Sequence, residues 1–265
     1  MTASAWIKRP RPRPGARARV FCVPHAGAGP SSYAHWVSEL PEDVELCLVH
    51  LPGREARLTE LPLDDITAIA QRVGRACADL LDLPFVLLGH SMGALVAYET
   101  ARRLTVAPRR LFVSACPPAH RLVEEPPVAH LPDDEFLAEV RRAYQGIPDE
   151  VWSDRGLMRM MLPALRADFA AYETYEWVRR DPLRCPVTAL GGSTDALVPA
   201  ASLAGWAELT EASCEVEVFD GGHFYLTEAR HEVQRMVTAA LLTDVARPGT
   251  HPETAGAGRT RGAGA

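Results

Sequence analysis

The stretch Phe85-Val86-Leu87-Leu88-Gly89-His90-Ser91-Met92-Gly93-Ala94-Leu95-Val96-Ala97-Tyr98-Glu99-Thr100-Ala101 passes from an apolar strand, through a serine bracketed by glycines, into a helical run. At such a strand-to-helix turn the serine is held in a strained backbone conformation with its hydroxyl exposed. The flanking glycines are needed because a Cβ there would strike the adjoining strand and helix. Gly-x-Ser-x-Gly alone is a weak signal; its place between strand and helix makes Ser91 a candidate nucleophile rather than a helix-capping serine.

Outward from this turn, short apolar runs alternate with amphipathic ones, the signature of parallel strands joined by crossover helices. Strands are expected at 20–23, 45–51, 85–89, 110–115, 186–191 and 215–220, with few internal charges, as strands covered on both faces require. Ile66, Ile69, Ala70, Val73, Cys77 and Leu80 repeat at helical spacing, as do Val233, Met236, Val237, Ala240 and Leu241. The expected class is α/β: an α/β-hydrolase fold, a mostly parallel central sheet flanked by helices, with one domain over 20–245.

The interval 117–181 shows no strand pattern but two helical stretches, 133–144 and 149–177, the second with an expected kink at Pro163. Ligands in open α/β folds bind at the carboxyl ends of strands, where this segment departs and returns, so a helical lid is expected. Extra helices packed on a sheet face are the alternative. Residues 1–19 read as a flexible basic, proline-rich arm, either a solvated leader to the first strand or a docking element for an acidic partner. Residues 246–265, rich in Gly, Ala, Thr and Pro without apolar periodicity, read as a disordered tail.

Composition narrows the function classes. With 47% apolar and 23% charged residues among 265, the chain has ordinary globular values, and no apolar run is long enough to span a bilayer, so no membrane association is expected. The first residues lack the pattern of a secretory signal. The six cysteines are scattered, without a Cys-x-x-Cys pair, which fits buried thiols in a reducing, cytoplasmic setting. A net charge of −6 argues against nucleic-acid binding. Neither His-Glu-x-x-His nor a clustered Cys/His spacing occurs, so no metal is expected.

A serine hydroxyl is a poor nucleophile until an imidazole takes its proton and an acid fixes the imidazole's tautomer. In this fold the chain order is Ser, acid, His. Asp195 follows the strand-like Val187-Thr188-Ala189-Leu190, and His223 follows Val216-Glu217-Val218-Phe219. Asp220 lies too near His223 along the chain, and Asp168 falls in the presumed lid, so Ser91, Asp195 and His223 form the expected triad. His25 and His90 lie near the site; His35, His50, His120, His130, His231 and His251 have no triad context. The oxyanion that forms on the attacked carbonyl needs two backbone N–H donors. Met92 supplies the first; in Pro24-His25-Ala26-Gly27-Ala28-Gly29, Ala26 is the expected second, with Gly27 as fallback. Met161 and Phe169 in the lid, with Phe224 beside the histidine, are the expected substrate-binding residues.

From 20 to 242 the chain resembles the discrete type II thioesterases that accompany polyketide and nonribosomal peptide synthases. The resemblance is carried by Phe21-Cys22-Val23-Pro24-His25-Ala26-Gly27-Ala28, Leu51-Pro52-Gly53-Arg54-Glu55, the Ser91 turn, His130-Leu131-Pro132-Asp133-Asp134-Glu135-Phe136, Leu162-Pro163-Ala164-Leu165-Arg166-Ala167-Asp168-Phe169 and Phe219-Asp220-Gly221-Gly222-His223-Phe224-Tyr225-Leu226. Two stretches depart from the family pattern: Ser114-Ala115-Cys116-Pro117-Pro118-Ala119-His120 replaces an arginine-containing segment, and Ala28 stands where a second glycine is usual.

The resemblance implies hydrolysis of acyl groups from the phosphopantetheine arm of acyl or peptidyl carrier proteins, clearing stalled or misloaded chains. It implies no cofactor on this chain, a carrier partner arriving in trans, and a monomer. A small-molecule esterase or acyltransferase with the same triad is the alternative reading, and a non-catalytic acyl-binding module a third.

Overall fold

The computed structural model describes residues 5–122, 126–144 and 152–245. Seven strands form one sheet: β1 (Ile7–Lys8), β2 (Ala18–Val23), β3 (Val44–Val49), β4 (Phe85–His90), β5 (Arg110–Ser114), β6 (Val187–Gly192) and β7 (Cys214–Phe219), in the spatial order β1-β3-β2-β4-β5-β6-β7. All neighbours run parallel except β1 against β3. The pairings Val23 with Gly89, His90 with Ser114 and Ser114 with Leu190 align the carboxyl ends of β2, β4, β5 and β6. The α/β expectation holds, and six strands match their expected positions to within a few residues.

Strand alternation feeds two cores. Phe21, Val23 and Leu87 point to one face, beneath α2 (Ile66–Cys77) and α3 (Met92–Ala101). Val20, Cys22, Val86 and Leu88 point to the other, against Trp36 of α1 (Trp36–Glu39) and against Val233, Val237 and Leu241 of a C-terminal helix at Arg230–Val245. α2 starts where Asp65 accepts the Ala68 N–H at 2.6 Å and buries the Ile66, Ile69, Ala70, Val73 and Cys77 stripe. α3 is buried along its whole length, so it is apolar all round except at Glu99 and Thr100.

Two expectations are corrected. β7 is not covered on both faces: it is an edge strand, with Val216 and Val218 39% and 46% exposed. Its Glu-Val-Glu-Val alternation puts charge along an open edge, which discourages pairing with another chain. Nor do residues 5–19 hang free as an arm. Ile7 and Lys8 pair with Val49 and Leu48, and Arg13 is buried, donating to the Val37, Leu40, Pro41 and Val44 carbonyls.

The cause is Glu45, a fully buried carboxylate within β3 that accepts from Arg9, Arg19 and the Arg13 N–H. Burial alone would raise its pKa, but those donors together hold it below the usual carboxylate value. The expected tail at 246–265 lies outside the described residues, as do residues 1–4.

In the interval 117–181 the described residues contain no strand. α4 (Asp133–Tyr144) and α5 (Arg155–Glu173) share a small separate core of Phe136, Val140, Leu165 and Phe169. Asp154 caps α5 by accepting the Gly156 and Leu157 N–H groups, and the helix continues through Pro163. We number the Arg230–Val245 helix α6. The segment after α5 is tied to α3 by Tyr175 on Glu99 (2.7 Å) and Arg102 on the Val178 carbonyl (2.9 Å).

Candidate active site

Ser91 sits between β4 and α3 at φ 53°, ψ −124°, a left-handed conformation that costs an L-residue on the order of 1–3 kcal/mol. The tight turn explains both glycines. A Cβ on Gly89 would overlap the Gly93 carbonyl, and one on Gly93 would overlap the Val23 and Pro24 carbonyls. The Ser91 N–H donates to the Ser114 carbonyl of β5 at 2.8 Å, pinning the turn to the neighbouring strand.

Two later loops deliver the partners. After β6, Asp195 turns back so that Oδ1 accepts the Leu197 and Val198 N–H groups at 2.9 and 3.1 Å, leaving Oδ2 on His223 Nδ1 at 2.9 Å. After β7, His223 places Nε2 3.0 Å from Ser91 Oγ. Nδ1–H donating to Asp195 leaves the Nε2 lone pair facing the Ser91 hydroxyl, the tautomer a general base needs. The structure thus brings together all three residues expected from sequence. Asp220 is turned away, towards the Ser193 hydroxyl, and Asp168 is engaged by Arg54.

Ala26 and Met92 share a cavity wall with Ser91. Gly27, the fallback donor, is otherwise engaged: its N–H donates to Asp168 Oδ2 at 2.7 Å. Ala26 is therefore the better candidate beside Met92.

The cavity, about 610 Å³ including its open mouth, lies between the carboxyl ends of the strands and the α4–α5 layer, with mostly apolar and aromatic walls. Phe169 and Phe224 line it, as expected. Met161 does not: Leu165, Asp168, Phe169 and Tyr172 form the lining face of α5, and Met161, one turn earlier, is not among the lining residues. Sequence reasoning missed Tyr144, Leu165 and Tyr172. The i, i+3, i+4, i+7 spacing from Leu165 to Tyr172 was the available signal. Tyr144 closes the last turn of α4, where it packs edge-on against both Phe169 and His223.

Three imidazoles cluster around the serine, with His25 lining the cavity. His90 lies 5.5 Å from His223 and 5.7 Å from His25, ring centroid to centroid. Burial, with His223 and Arg54 nearby, lowers the His25 pKa to about 4, and burial beside His223 and His25 pushes His90 well below its usual value. Both are therefore neutral at pH 7. His90 Nδ1 also meets the Ser114 hydroxyl at 2.8 Å, which in turn meets the Tyr225 hydroxyl at 2.5 Å, a buried polar chain supporting the site from behind. Among the described residues no group of three or more His, Cys, Asp or Glu is placed to hold a metal ion, and no helix is long and apolar enough to cross a membrane.

Comparison with known proteins places this chain among relatives. The thioesterase-domain family model matches residues 18–241. The gramicidin S biosynthesis protein GrsT of Aneurinibacillus migulanus is 37% identical over 237 residues, covering 86% of this chain and 90% of that protein. Thioesterase PikA5 of Streptomyces venezuelae is 37% identical over 248 residues, covering 92% and 88%. Among solved structures, the type II thioesterase BorB from the borrelidin biosynthetic cluster superposes with a TM-score of 0.84 at 36% identity, covering 91% of this chain and 99% of that one.

Proposed function

This chain belongs to the thioesterase family, and from that premise we propose that it hydrolyses acyl thioesters from the phosphopantetheine arm of acyl or peptidyl carrier proteins, with Ser91 as nucleophile. The observation that carries the reading is the unbroken relay Asp195–His223–Ser91, opening onto an apolar cavity.

His223 Nε2 takes the Ser91 Oγ proton as Oγ bonds to the thioester carbon. The carbonyl oxygen becomes an oxyanion facing the Met92 and Ala26 N–H groups, and Asp195 steadies the imidazolium. Collapse breaks the C–S bond, and His223 returns the proton to the departing sulfur. A thiol of pKa about 8.5 leaves readily, so this step asks less of His223 than an amide would. Water, deprotonated by His223, then attacks acyl-Ser91 and releases the free acid.

Relatives named for gramicidin S biosynthesis and as type II thioesterases support a role beside a multienzyme synthase, clearing stalled or misloaded chains. We read the carrier as arriving in trans to a monomeric enzyme, with α4 and α5 as a lid shaping the acyl chamber. The chemistry asks for no cofactor held by this chain. Six free cysteines, five of them buried, support a reducing, cytoplasmic setting.

The test compares an acyl-phosphopantetheinyl carrier protein with a small oxygen ester of the same acyl group. The carrier thioester is expected to be hydrolysed with the higher kcat/KM, and Ser91→Ala to abolish release. Oxygen-ester hydrolysis with the carrier thioester untouched would favour a small-molecule esterase instead.

A further inference from the structure

Two sequence markers, Leu51-Pro52-Gly53-Arg54-Glu55 and Leu162 to Phe169, take no part in the Asp195–His223–Ser91 relay, yet they meet at the oxyanion loop. Residues 25–31 are gripped there at three points. Asp168 Oδ2 accepts the Gly27 N–H at 2.7 Å, Arg54 Nη1 donates to the Ala28 carbonyl at 3.1 Å, and Glu55 Oε1 accepts the Ser31 N–H at 2.9 Å. Arg54 and Asp168 also bind each other in a two-pronged pair, at 2.6 and 2.9 Å, with side-chain exposures of 5% and 0%.

Peptide geometry links this grip to the reaction. Inside the loop the Ala28 N–H donates to the His25 carbonyl at 3.1 Å. A trans peptide points its N–H opposite its C=O, so the His25 carbonyl, held inside the turn, aims the Ala26 N–H outward. Arg54 holds the Ala28 carbonyl, and the Ala28 N–H donates to the His25 carbonyl. Asp168 fixes the peptide plane on the other side of Ala26 and occupies the Gly27 N–H, the alternative donor.

Asp168 alone of the three gripping residues comes from α5, which packs directly on the loop: a Cβ on Gly27 would lie 2.7 Å from Leu165 Cδ1. A buried charge pair repays its desolvation only with good geometry and satisfied hydrogen bonds, and here both carboxylate oxygens are engaged.

We propose that Arg54 and Asp168 are positioning residues for the oxyanion hole, and that through Asp168 the seating of α5 over the cavity sets the aim of the Ala26 N–H. This rests on the thioesterase reading and deepens it. The helical cover is then more than a wall of the acyl chamber: its docking and the competence of the hole are one event.

The test uses the full chain as wild type, as Arg54→Gln/Asp168→Asn, which strands no buried charge, and as Arg54→Lys, which keeps the charge but loses the fork. For each, kcat and KM on an acyl carrier protein are measured beside the affinity for an acyl trifluoromethyl ketone, whose Ser91 adduct carries an oxyanion. Thermal melting identifies the folded variants.

The expected result is a kcat lower by about tenfold to a hundredfold, approaching the loss of one oxyanion donor. Inhibitor affinity falls in proportion and KM changes far less. A purely structural role would lower the melting temperature and leave kcat of the folded protein and inhibitor affinity within about twofold of wild type; that result in either folded variant overturns the proposal. Wild-type protein that hydrolyses no thioester overturns the thioesterase reading and the clamp with it, whereas active wild type beside an equally active variant overturns the clamp alone.

Discussion

The ring of Tyr144, on the last turn of α4, stands edge-on to the imidazole of His223 with centroids 5.3 Å apart, so the helical layer touches the residue that we assign as the base. Such a contact is worth about 0.5–1.5 kcal/mol beyond buried area. Tyr144→Ala should free the imidazole to leave its aligned rotamer and lower kcat by a few-fold, up to about tenfold, while widening tolerance for bulky acyl groups. Steady-state kinetics on linear and branched acyl carriers checks this; unchanged kcat on both would show that the contact has no part in alignment.

Asp195→Asn separates charge from shape. The amide oxygen can still accept the Leu197 and Val198 N–H groups, which turns the amide nitrogen towards His223 Nδ1. A donor there selects the wrong tautomer, with the proton on Nε2. The expected loss in kcat is about 10⁴-fold with little change in melting temperature. A loss below tenfold would mean that another acid orients the imidazole.

Acyl preference should follow the lining face of α5. Phe169→Leu, within the cavity, is expected to shift the optimum towards longer or bulkier chains, whereas Met161→Leu, not among its lining residues, is expected to leave preference unchanged. A chain-length panel measuring kcat/KM distinguishes the two. Equal shifts from both substitutions would mean that Met161 also shapes the cavity.

Acid should destabilise the fold through His25 and His90. His25 takes up a proton near pH 6.5 when unfolded but near pH 4 when folded, and His90 is depressed in the same direction. Between those values the unfolded chain binds more protons, so stability present above pH 6.5 is lost as pH falls towards 4. Urea midpoints at pH 7, 5.5 and 4.5 should decline in that order, and His25→Gln should flatten the decline. A midpoint that does not move between pH 7 and 4.5 would contradict the depressed titration of these imidazoles.

The sheet and the nucleophile turn were legible because their signals are local. An apolar run of four residues, two glycines and a helical run surround Ser91 within 17 positions, 85–101. Asp195 and His223 were legible because each follows a strand at its carboxyl end. The corrections come from partners distant in sequence. Arg9, Arg13 and Arg19 read as a solvated run because Glu45, which binds all three, lies in a strand 26 to 36 residues away.

Asp168 could be set aside as a triad acid, but Arg54, 114 residues earlier, gives it a different task. For β7, alternation fixes which side chains share a face but not whether another layer covers that face. Met161 and Leu165 lie one turn apart on α5, and helical spacing alone does not say which of them reaches the cavity.

Peptide-mapped labelling with a fluorophosphonate, with and without an acyl carrier protein, decides whether Ser91 is the nucleophile acting on carrier-bound acyl groups. One stoichiometric adduct is expected, on Ser91, formed more slowly when the acyl carrier is present and lost in His223→Ala. No adduct on the native chain, or an adduct on another residue, would contradict that role.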